Sequence, residues 1–88
     1  MKKILFDNNK NIISEQLRLC RLQKNLTQAQ LAAKMQAMGV NLDQQMISKI
    51  EHNMRFVTDY ELACFCRVLH VTPSELLQNF QETQVKDL

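Results

Sequence analysis

Glycine and proline are nearly absent from this chain, with one of each in 88 residues. Sandwiches and barrels need many positive-φ turns and breaks, so an all-β architecture is excluded. A single glycine also rules out a glycine-rich loop that could cradle a phosphate. Cysteine occurs three times, an odd count without the spacing of a disulfide framework. That usage fits a reducing, cytoplasmic setting. Long apolar runs are missing as well. Ile4-Leu5-Phe6 is cut off by Asp7, too short for the core of a signal peptide, and no stretch nears the ~18 apolar residues of a membrane span. Neither a repeat nor a low-complexity segment occurs.

What is abundant is helix-forming: Leu, Gln, Ala, Lys and Met. A chain of this length makes one domain and buries roughly 60–65% of its unfolded surface. The expectation is a small all-α protein. Its net charge is only +2, yet the charge is unevenly placed. Residues 1–56 hold nine bases and four acids, a net of +5, and residues 57–88 hold two bases and five acids, a net of −3. Such asymmetry is a modest sign of a polyanion partner on the first part.

Along the chain, residues 1–11 read as a polar arm, 12–80 as the folded domain and 81–88 as a polar tail. Helix 1 is predicted from about Ile12 to Asn25. Its main stripe is Ile13, Leu17 and Cys20, and its second stripe is Ile12, Leu19 and Leu22 on roughly the opposite side. Thr27 with Gln30 forms a capping box that opens helix 2, whose apolar face is Leu31, Ala32, Met35 and Met38. Gly39 is placed to end it in the left-handed region. Val40-Asn41-Leu42 reads as a connector. Asp43 is a good cap for helix 3, about Gln44 to His52, with Asn53 as the stop. Thr58 with Glu61 opens helix 4, which carries Leu62, Phe65, Cys66 and Leu69. Thr72 with Glu75, and Pro73 at the first helical position, open helix 5 with Leu76, Leu77 and Phe80.

Helix 3 carries the chemistry. On a wheel of about 100° per residue, with Gln44 at the origin, Ser48, His52, Gln45 and Lys49 fall between about 40° and 140°. Met46, Ile50 and Ile47 fall between about 200° and 300°. One face is apolar, and the other is Gln, Gln, Ser, Lys and His. A glutamine amide matches the donor and acceptor pair of adenine in the major groove, Lys donates to guanine or phosphate, and Ser bonds either way. The same face could be an ordinary solvated one, although such faces usually include Glu and this one has none. Glu51 lies at the border of the buried side in the last turn, where a carboxylate opposes the helix dipole. It needs a cation, and Arg21 is the candidate because Arg grips a carboxylate with two hydrogen bonds. Met46 either packs or touches a thymine methyl, and packing is the preferred reading.

Together, Leu26-Thr27-Gln28, Leu31-Ala32, Ile47-Ser48-Lys49-Ile50-Glu51, Leu69, Val71 and Leu76-Leu77 resemble the helix-turn-helix family of phage repressors and XRE-type regulators. The resemblance covers about residues 12–78. It implies a five-helix, lambda-repressor-like bundle in which helices 2 and 3 read double-stranded DNA, usually as a homodimer on its operator. It also implies a transcriptional regulator, by preference a repressor, and no enzyme. By the same resemblance Gln44, Gln45 and Lys49 read bases, Gln28 touches a phosphate and braces a recognition glutamine, and Thr27 caps helix 2 near the backbone. Asn53 and Arg55 follow the sugar-phosphate chain, and Arg21 pairs with Glu51. One departure stands out. From Ala32 to Glu51 the chain is about five residues longer than the commonest form of the family, which implies a longer helix 2 and turn, Gln36 to Leu42.

Other chemistries find little support. Cys64 and Cys66 lie about 200° apart on helix 4 and cannot share a metal ion. Cys66 and Cys20 read as core residues. His70 and His52 read as histidines at helix C-termini, where a cation suits the dipole. No catalytic set of Ser/His/Asp or paired carboxylates is present, and no cofactor is implied. The alternative role is an antitoxin or protein-interaction module that binds a partner protein through helix 1 (Ile12, Leu19, Leu22) or helix 5 (Phe80). The expected homodimer surface is helix 5 and the tail: Leu77, Phe80, Val85 and Leu88.

Overall fold

Four of the five helices begin where a side chain caps free backbone donors. The computed structural model describes residues 8–78 and contains five helices: α1 Ser14–Gln23, α2 Gln28–Ala37, α3 Gln44–Glu51, α4 Asp59–Leu69 and α5 Pro73–Leu76. All three threonine capping boxes form, at Thr27 with Gln30, Thr58 with Glu61 and Thr72 with Glu75. Asp43 caps α3 by accepting from the Met46 N–H at 2.8 Å. Each such cap is worth about 1 kcal/mol. Helix α1 has no side-chain cap of its own. Its start is set by Asn11, whose Oδ1 accepts from the Ile13 N–H at 3.0 Å, so the helix begins later than Ile12.

The scarcity of glycine leaves most helix stops to other residues. Four helices end with a left-handed residue, Asn25, Gly39, Asn53 and His70. In each case that residue and the next donate back to the helix, as in Gly39 N–H to the Gln36 carbonyl and Val40 N–H to the Met35 carbonyl. This double bond closes the helix end and turns the chain sharply. Asn tolerates the left-handed region better than most side chains, whereas His70, at φ 56°, carries more strain.

The core is built from Ile13 at the start of α1, Leu17 and Cys20 of α1, Leu31, Ala32 and Met35 of α2, Ile47 and Ile50 of α3, Phe65, Cys66 and Leu69 of α4, and Leu76 of α5. Helix α3 packs on α1 and α2, while α4 and α5 close the far side. The lengthened turn joins this core. Val40 and Leu42 are buried, and Gln36 Nε2 donates to the Leu42 carbonyl at 2.9 Å, so the extra residues are pinned down. Helix α2 runs to Ala37 and closes at Gly39, seven residues after Ala32, so the added length falls to both the helix and the turn. The second stripe of helix 1 is largely exposed at Leu19 and Leu22, and Met38 is exposed rather than on the core face of α2. Of the expected dimer residues, Leu77 is half-buried, and Phe80, Val85 and Leu88 lie outside the described residues.

Among the described residues no helix is long and apolar enough to cross a membrane, and no group of His, Cys, Asp and Glu could hold a metal ion. Cys20 and Cys66 are buried. Burial, aided by the nearby Glu75 charge, pushes both thiols above their ordinary range.

Candidate nucleic-acid interface

Helix α3 is amphipathic along its whole length. Ile47 and Ile50 are fully buried and Met46 is half-buried against the core, which fits its packing reading. On the other side Gln44, Gln45, Lys49 and His52 are exposed, and Ser48 is half-buried. The His52 Nδ1 lies 2.7 Å from the Ser48 carbonyl, so that nitrogen carries a proton and donates it. Among the described residues, Gln44, Gln45 and Lys49 make no side-chain hydrogen bond to the rest of the protein and keep their donors and acceptors for solvent or a ligand.

The helix is fixed in place by one buried polar knot. Arg21 Nε donates to Glu51 Oε2 at 2.7 Å and Arg21 Nη2 donates to Glu51 Oε1 at 3.0 Å. The third arm of the guanidinium donates to the Leu26 carbonyl at 2.8 Å. Gln28 Nε2 donates to Glu51 Oε1 at 3.1 Å. The two charged side chains are 9% and 1% exposed, so every bond counts in a low-dielectric setting. The knot ties α1, the start of α2 and the end of α3 at one point. It also offsets the unfavourable placement of a carboxylate in the last turn of α3.

Three residues assigned by resemblance also have partners within the protein. The Gln28 amide nitrogen braces Glu51 and not a recognition glutamine. Asn53 turns its amide inward. Its Oδ1 accepts from the Lys10 N–H at 2.9 Å and the Asn11 N–H at 3.1 Å, and its Nδ2 donates to Asn9 Oδ1. Arg55 is held by Glu61 through two bonds of 3.1 and 3.2 Å and also donates to the Phe56 carbonyl. Its charge is thereby largely neutralised. Thr27 is exposed, and its hydroxyl accepts from the Gln30 N–H at 3.0 Å.

Two features escaped the sequence. The first is the Arg55–Glu61 pair. Burial pushes the Glu61 carboxyl up, but hydrogen bonds from Arg55 and from the Thr58 backbone N–H, with the Arg55 charge, outweigh it and hold its pKa below the ordinary 4.5. Glu61 had shown itself only as the closing residue of a capping box, a place that points the side chain back toward residue 58. An arginine six residues before Glu61 was the available clue. The second is the seam between residues 9–11 and the loop after α3. Asn11 Nδ2 donates to the carbonyls of Ile50 and Arg55, both at 3.0 Å. These contacts span more than 38 residues, and no local pattern marks them.

Five short helices that hold an exposed, glutamine-rich helix against a buried arginine–glutamate pair define a helix-turn-helix DNA-binding domain. The family model described as "Helix-turn-helix" matches residues 17–76, and the chain belongs to that family. It is similar to two solved structures. One is a hypothetical transcription factor, NHTF, from Neisseria, 18% identical, with a TM-score of 0.68, covering 100% of this chain and 94% of that one. The other is a mutant of the restriction-modification controller protein C.Esp1396I, 31% identical, with a TM-score of 0.62, covering 99% of this chain and 94% of that one. The first likeness speaks to fold alone. No curated protein matches the chain. Family membership makes this chain a DNA-binding transcriptional regulator and not an enzyme.

Proposed function

We propose that this regulator is a repressor that binds a specific double-stranded operator as a homodimer, with α3 in the major groove. The observation that carries the reading is the free polar face of a rigidly held helix. Gln44, Gln45 and Lys49 are exposed and unengaged, while Glu51 on the same helix is locked to Arg21. Glutamine is suited to adenine and lysine to guanine or phosphate, and Ser48 can bond either way. Thr27 and Gln28, at the start of α2, would meet the backbone beside the groove, as the family resemblance implies.

An eight-residue helix is about 12 Å long and can read only a few base pairs. Two copies on half-sites one helical turn apart would supply the missing specificity. The likeness to a restriction-modification controller protein makes the promoter of such a gene cluster the first natural duplex to try.

Selection of preferred duplexes from a random pool tests the reading, with wild type beside a Gln44→Ala/Gln45→Ala variant. Wild type should enrich a two-fold symmetric site, and the variant should lose preference at paired positions. A pool that stays random with the wild-type chain would contradict base reading by this protein. Native mass measurement on the selected duplex should give two chains per site, and one chain per site would contradict the homodimer.

A further inference from the structure

The loop after α3 raises a question of charge. Arg55 is the only cation between Lys49 and Arg67, and Glu61 holds it in a two-point ion pair. A guanidinium committed in this way has little charge left for a phosphate. Another cation is anchored at the same place from far away in sequence. Lys10 is bound through its backbone N–H to Asn53 Oδ1, two residues beyond the end of α3. Asn11, next in the chain, clamps the Ile50 and Arg55 carbonyls. The backbone of Lys10 is thus fixed at the exit of α3, and its side chain is exposed without a carboxylate partner among the described residues.

The geometry points to Lys10 as a phosphate-binding residue at the rim of the groove, positioned by Asn53; this rests on the reading of α3 as the groove helix. That helix spans about 12 Å, close to the width of the major groove, and recognition helices enter with their N-terminal residues toward the bases. Its C-terminal end therefore leaves the groove at the sugar-phosphate rim, where Asn53 holds Lys10. The lysine supplies the charge that Arg55 gives up to Glu61. Asn53 is the positioning residue, because its amide is spent on the arm and not on a ligand.

The test is the salt dependence of binding to a selected duplex and to a non-specific one. Lys10→Ala retains the backbone N–H that Asn53 holds, so the fold and the anchor persist. One lost phosphate contact should lower the slope of log K against log[salt] by about 0.9, which is about eight-fold in affinity at 0.1 M salt, equally on both duplexes. Lys10→Arg should restore the slope. Asn53→Gly keeps the left-handed turn and removes the two bonds that hold the Lys10 and Asn11 N–H groups, and in that background Lys10→Ala should cost less. An unchanged slope for Lys10→Ala, with wild type binding steeply, would overturn the role of Lys10 alone. An equal cost in the Asn53→Gly background would overturn the positioning by Asn53. A wild-type chain without salt-dependent binding would instead remove the reading of α3, and this inference with it.

Discussion

Replacing Arg21 by Met should be among the most damaging single changes available in this domain. Met is apolar and similar in length, so the cavity is small and the loss is electrostatic. The Glu51 carboxylate, 1% exposed, would keep the Gln28 amide as its side-chain partner. Breaking a buried pair from one side costs about 3–5 kcal/mol, because an uncompensated charge stays behind. A domain of this size has a total stability of roughly 4–13 kcal/mol. At about 4–8 °C per kcal/mol, the melting temperature should fall by at least about 12 °C. The double variant Arg21→Met/Glu51→Leu removes both charges and should recover most of that loss, since an apolar replacement of a buried pair is often neutral or better. Urea and thermal unfolding followed by circular dichroism measure both. A single variant within about 1 kcal/mol of wild type, or a double variant as unstable as the single, would refute the assignment of the pair as the lock on α3.

Two further outcomes concern stability. The Glu61 pKa is lowered in the folded state, so its contribution is present above the ordinary 4.5 and is lost as pH falls through the folded value. Wild type should be more stable than Glu61→Gln at pH 7, the gap should close on acidification below about pH 4.5, and a gap that stays constant to pH 3 would contradict the ion pair's role. His70 ends α4 in the left-handed region with its side chain exposed. Replacing it with Gly removes strain of about 1–2 kcal/mol and adds about 0.5–1 kcal/mol of unfolded-state entropy, so a small rise in melting temperature is expected and a fall would contradict the strain.

Local signals were legible in the sequence because the physics that sets them is local. A threonine three residues before Glu or Gln marks a helix start whatever the rest of the chain does, and Thr27, Thr58 and Thr72 all do so. Gly39 and Asn53 marked stops for the same reason. The wheel of α3 separated Ile47 and Ile50 from Gln44, Gln45 and Lys49, because burial on a helix follows its 3.6-residue period. The pairing of Arg21 with Glu51 was suggested by the cost of a carboxylate in a last turn, and the two are in contact.

Contacts between distant segments left no such trace. Nothing near Asn53 shows that its amide would receive residues 9–11, and nothing near Arg55 shows that Glu61 would take its charge. Val40 and Leu42 looked like a connector, because a turn three residues long has no period to reveal a buried side. The exposed Met38 marks the opposite error, where an apolar residue at a plausible spacing on α2 was not matched by a surface to cover it.

The most direct test of base reading by α3 is the ratio of affinities for a selected operator and for duplexes with single base-pair changes, in wild type and in Gln44→Ala. Gln44 is exposed at the first position of α3, so its removal should leave stability within about 0.5 kcal/mol of wild type. The ratio should collapse at one base pair per half-site, by about 1–3 kcal/mol, and stay unchanged elsewhere. An unaltered ratio at every position for Gln44→Ala, and again for Gln45→Ala and Lys49→Ala, would contradict the placing of α3 in the major groove.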